Sequence, residues 1–84
     1  MTSIVYNKNM KENYTLKNNL KKLRFQNNEM SQDYLANLLN ISRQTVYSIE
    51  QGKFNPSIKL SLLIAKVFDV SIEELFYLEY SENE

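Results

Sequence analysis

From Leu20 onward the apolar residues fall in blocks at helical intervals, separated by short polar breaks. Leu20 and Leu23 share one side of a segment that turns helical at Lys17, with Arg24 on the same side and Lys17, Lys21 and Lys22 mostly opposite. The stretch "QNNE" ends that helix. Ser31 is placed to cap a second one, Asp33 complements its dipole, and Leu35, Ala36, Leu38 and Leu39 supply its buried side. Asn40 then suits a tight turn, because after Gly it is the residue that best accepts a left-handed backbone. Ile41 plugs the corner, Ser42 caps a third helix, Val46 and Ile49 face inward from it, and Gly52 ends it. "KFNPS" reads as a loop, with Pro56 near a helix start and Ser57 as cap.

The next helix is the most apolar, through Ile58, Leu62, Leu63, Ala65, Val67 and Phe68. "SIEE" has the form of a capping box, Ser71 with Glu74, and opens a short fifth helix. "FYLEY" follows, with the alternation of an edge strand. The first sixteen residues are Asn-rich and lack a sustained period, so they read as a flexible arm, in which "SIVY" is able to pair as a short strand. The expected architecture is all-α: a five-helix bundle with a central helix-turn-helix at 32–51 and a possible short C-terminal strand. Residues 1–16 form the arm, 17–78 the domain and 79–84 an acidic tail.

Eighty-four residues make one small domain, and chains of this size bury only about 60% of their unfolded surface. Cysteine and histidine are both absent, which removes disulfides, thiolate metal sites and the commonest general base together. No grouped carboxylates stand outside the tail, so neither catalysis nor a metal or other cofactor is expected. No apolar run reaches the roughly 18 residues that span a membrane, and the expected setting is the cytoplasm. Net charge is zero, from ten basic and ten acidic residues. Residues 1–66 hold all ten basic groups against Glu12, Glu29, Asp33 and Glu50, while 67–84 hold the other six acids and no base. That asymmetry points to a basic working surface and an acidic tail.

The segment Gln32 to Gln51 has helix-turn-helix spacing, a geometry that holds a second helix out from the body for the DNA major groove. Its second helix, in "NISRQTVYSIEQGK", displays Arg43, Gln44, Tyr47 and Ser48 rather than the Lys and Glu of an ordinary surface helix. Gln44 carries an amide able to pair with adenine N6 and N7, and Arg43 suits guanine O6 and N7 or a phosphate. Ser48 lies one turn after Gln44, and Tyr47 one turn after Arg43. Gln32 opens the preceding helix, where free amides and the dipole favour a phosphate.

Residues 17–78 resemble the Cro and phage-repressor type of helix-turn-helix domain, the xenobiotic-response-element family of bacterial regulators. "MSQDYLA", "SRQTVYSIEQGK", "NPS" and "IAKVFDVSIEELF" match its pattern in order and spacing. The connection "FQNNEM" is one residue longer than usual, and Asn40 replaces the commoner Gly. The resemblance implies that Arg43, Gln44, Thr45 and Ser48, joined here by Tyr47, read bases. Gln32, Ser42, Lys53 and Asn55 then meet phosphates, and Arg24 and Glu50 pair to tie helices together. It further implies a homodimer through the C-terminal region, here Ile72, Leu75, Phe76, Tyr77, Leu78 and Tyr80. Those apolar groups have a second reading, in which they complete the core of a monomer.

The expected partner is therefore double-stranded DNA, with no membrane and no small-molecule ligand, and the expected role a dimeric repressor on a palindromic operator. The alternative is an antitoxin-like or other protein-interaction module that binds DNA secondarily.

Overall fold

Serine side chains set four of the helix starts. In each case the Oγ accepts the backbone N–H three residues on: Ser31 from Tyr34, Ser42 from Thr45, Ser57 from Leu60 and Ser71 from Glu74. The computed structural model describes residues 10–81. They form α1 (Met10–Asn13), β1 (Tyr14–Asn18), α2 (Leu20–Gln26), α3 (Gln32–Leu39), α4 (Arg43–Glu50), α5 (Ile58–Phe68), α6 (Ile72–Leu75) and β2 (Phe76–Tyr80).

Two helix ends share one device. Asn40 and Asp69 adopt left-handed conformations at φ 56° and 55°. Beyond them Ile41 N donates to Ala36 O, and Val70 N to Ala65 O, each at 3.0 Å. This closes the last turn and drives Ile41 and Val70 back against the core. At the start of α6 the reciprocal pair is complete, with Ser71 N donating to Glu74 Oε2 at 2.7 Å.

The core is built where α2 to α6 meet, from Leu20, Leu35, Ala36, Val46, Ile49, Ile64, Ala65, Phe68 and Leu75. On α5 the buried positions are Ser61, Ile64, Ala65 and Phe68, spaced as one helical stripe. Ile58, Leu62 and Leu63, part of the apolar run that marks this helix in the sequence, are 80%, 54% and 42% exposed. The helix is apolar on several sides, so its own period does not choose a face. Ser61 is accommodated inside because its Oγ donates to Ser57 O at 2.8 Å.

β1 and β2 pair antiparallel from Tyr14↔Tyr80 to Asn18↔Phe76. Asn19 N to Leu75 O at 2.9 Å and Ser81 N to Asn13 O at 2.8 Å extend the ladder at both ends. The radius of gyration is 14.8 Å, against about 12 Å for a compact chain of this length.

The described residues thus hold six helices and two strands, not five helices and at most one strand. Lys17 lies in β1 and forms an ion pair with Glu79 at 3.8 Å, so ordered structure begins ahead of the expected domain start and runs into the expected tail. "SIVY" lies outside the described residues. A strand of Tyr, Thr, Leu, Lys and Asn is not marked by local pattern; its partner lies 58 to 66 residues away. Leu75 also departs from its expected place in a dimer surface. It is 0% exposed within its own chain and has no surface for a second copy.

Candidate nucleic-acid interface

α3 and α4 pack through Ala36, which is 3% exposed, and through Val46 and Ile49, at 0% and 1%. A small residue at the crossing lets the helices approach, and the buried pair fixes which side of α4 points out. From the other end, Arg24 on α2 reaches both the segment leading into α3 and the last residue of α4. Its Nη1 donates to Met30 O at 2.6 Å, and its Nε and Nη2 donate to the two oxygens of Glu50. The presented helix is therefore braced by packing on one side and by a buried two-point ion pair at its end.

Arg43 and Gln44 are exposed on the outward face, and Tyr47 is 39% exposed. Gln44 Nε2 lies 3.4 Å from Ser48 Oγ, a long hydrogen bond that aligns the amide along the helix without burying it. Arg43 Nε lies 4.0 Å from Asp33 Oδ1, with both side chains largely in solvent, so this pair is readily exchanged for another partner. Thr45 and Ser42 behave differently. Their hydroxyls share a hydrogen bond of 2.8 Å while Ser42 Oγ also accepts from Thr45 N at 3.0 Å, which commits them to the helix cap.

Gln44, Thr45, Ser48, Lys53 and Phe54 line one shallow depression. The structure thus brings three residues of the base-reading set beside Lys53 of the phosphate set. Lys53 N and Phe54 N both donate to Ser48 O, at 2.9 and 3.2 Å, which ties this loop to α4. Phe54, 46% exposed in that depression, escaped the sequence reading because one aromatic in a loop carries no periodic signal. Asn55 is placed elsewhere, in a groove with Met10, Lys11, Tyr14, Leu16 and Leu78. The Gln32 side chain turns inward and donates to Glu50 Oε1 at 3.1 Å, so a phosphate at the start of α3 would meet backbone amides rather than this amide.

Among the described residues, no three His, Cys, Asp or Glu side chains group as metal ligands. No helix there is long and apolar enough to cross a membrane.

A small helical domain that braces a polar helix and holds it outward defines a helix-turn-helix module. The family model described as helix-turn-helix matches residues 20–75. The chain belongs to the Cro and phage-repressor type of helix-turn-helix regulators, a family of DNA-binding proteins that are not enzymes. An uncharacterized HTH-type transcriptional regulator of Methanocaldococcus jannaschii is 48% identical over 67 residues, covering 80% of this chain and 100% of that protein. YgzD of Bacillus subtilis, also an uncharacterized HTH-type transcriptional regulator, is 41% identical over 64 residues, covering 76% of this chain and 96% of its own length. The relatives thus come from archaea as well as bacteria. In structure the fold resembles a crystallised Bacteroides fragilis protein proposed to bind DNA. Its TM-score is 0.68 at 19% identity, over 75% of this chain and all of that one.

Proposed function

We propose that the protein is a sequence-specific transcriptional repressor that binds a palindromic operator as a homodimer and inserts α4 into the major groove. The observation that carries this reading is the outward face of α4. An amide, a guanidinium, a phenol and a hydroxyl stand there, the amide and the hydroxyl beside Lys53, on a helix whose last residue, Glu50, is tied to Arg24. Arg43 and Gln44 read base edges, with Tyr47 and Ser48 supporting them. Thr45 contributes its methyl group, since its hydroxyl serves the cap. Lys53 and the amides at the start of α3 meet phosphates, which position the domain without reading sequence.

The dimer reading draws support from the ribbon. Residues directly opposed across an antiparallel pair share a face, so Tyr14, Leu16, Leu78 and Tyr80 lie together. They are 36%, 38%, 61% and 52% exposed. A two-stranded ribbon is marginal alone, and a second copy seated on this face would cover it. Ile72 and Phe76 are half-buried against the core and contribute less, and Tyr77 lies on the opposite face with Lys17. The proposed interface is therefore Tyr14, Leu16, Leu78 and Tyr80, with Asn55 at its edge.

Selection of bound sequences from a randomised duplex pool tests this function. Enrichment of a palindrome with half-sites about one helical turn, or 34 Å, apart is expected. Salt-sensitive binding without enrichment would instead favour the antitoxin-like protein-interaction module.

A further inference from the structure

Two adjacent asparagines fasten the ribbon to the helical body, and they do different things. Asn19 Nδ2 donates to Glu74 O at 3.0 Å, joining the end of β1 to α6. Asn18 reaches the presented helix. Its Nδ2 donates to Ile49 O at 3.0 Å, and its Oδ1 accepts from Leu20 N at 3.0 Å. Ile49 O also accepts from Gly52 N at 3.0 Å, so Asn18 completes the coordination of a carbonyl in the last turn of α4. Asn18 is half-buried and pairs with Phe76 in the ribbon register. One planar amide thus connects the ribbon, the start of α2 and the end of α4.

We propose that Asn18 is a positioning residue that sets the orientation of α4 relative to the ribbon, and so the half-site spacing that the dimer accepts. This rests on the dimeric reading above. Apolar contacts at Val46 and Ile49 hold α4 against the core without direction, and the directional Arg24–Glu50 pair ties its end to α2 rather than to the ribbon. A hydrogen bond at each end of one amide fixes distance and direction together. Adding one base pair between half-sites shifts them by about 3.4 Å and turns them by about 34°. Two recognition helices reject that displacement only if each is held stiffly with respect to the dimer element.

Asn18→Asp removes the donor to Ile49 O and keeps an oxygen for Leu20 N; Asn18→Ala removes both and serves as the second variant. Full-length proteins are titrated onto the selected palindrome, onto the same site with one base pair added or removed at its centre, and onto a single half-site. Wild type is expected to prefer the selected spacing by about tenfold or more, and the variants by less than about threefold. Affinity for the single half-site and the sedimentation coefficient should stay within about twofold of wild type. An unchanged spacing preference in both variants overturns the inference. So does an equal loss on every duplex, the half-site included, which marks general damage to the fold. Failure of the dimeric reading shows in wild type alone, as a monomer indifferent to spacing, and removes this inference with it.

Discussion

Glu50 closes α4 with a carboxylate that accepts from Arg24 Nη2 at 3.0 Å, from Gln32 Nε2 at 3.1 Å, and from Arg24 Nε. The Arg24 and Glu50 side chains are 7% and 2% exposed. One ion pair therefore ties α2, the start of α3 and the end of α4. A buried pair of this kind adds little net stability over apolar residues of equal volume, but removal of one partner strands a charge. Glu50→Ala is expected to lower the unfolding free energy by about 3–5 kcal/mol, measured by urea denaturation. The double variant Arg24→Met with Glu50→Leu should lose clearly less than the single one. Equal losses would show that geometry, not the stranded charge, sets the cost.

Gln44 and Lys53 line the same depression and are expected to respond differently. Gln44→Ala should cost about 1–3 kcal/mol on the selected operator and relax preference at one base pair, leaving random DNA nearly unaffected. Lys53→Ala should weaken all sequences alike and reduce the slope of log affinity against log salt by about 1. Fluorescence anisotropy at several salt concentrations separates the two. Parallel losses on operator and random DNA for Gln44→Ala would remove it from the reading set.

Leu75 and Leu78 are three residues apart and face different environments, at 0% and 61% exposure. Leu75→Ala opens a cavity in the core and is expected to cost about 2–5 kcal/mol of stability, with the folded fraction still associating. Leu78→Asp places a charge on the ribbon's apolar face and should yield folded monomers by sedimentation velocity. A Leu78→Asp protein that sediments like wild type would rule out this face as the dimer surface.

Glu74 carries the pH signature of the α6 cap. The Ser71 backbone N–H, and then the Ser71 hydroxyl, hold its carboxyl below the ordinary glutamate value. A depressed folded-state value stabilises the fold above the unfolded-state pKa, and that contribution is lost as pH falls through the folded one. Wild type should therefore melt above Glu74→Gln near neutral pH, with the gap closing below about pH 4. A gap that stays constant down to pH 2.5, roughly, would show that the charge is not responsible.

The four serine-capped helix starts and the outward face of α4 were legible in the sequence because the interactions behind them are local, whereas α1 and the start of α2, expected at Lys17, were not. Each serine cap acts on the amide three residues on, Asn40 takes its left-handed turn by its own backbone preference, and Val46 and Ile49 settle the orientation of α4 within two turns. Only the tertiary structure decided where β1 lies, which side of α5 is buried, that Leu75 belongs inside and Leu78 outside, and that Asn18 touches α4. Tyr14 meets Tyr80 and Asn18 meets Ile49 across most or much of the chain. No local pattern records such partners. A helix apolar on several sides, or a strand of mixed residues, takes its orientation from the elements packed against it, and these are assembled only when the whole chain closes.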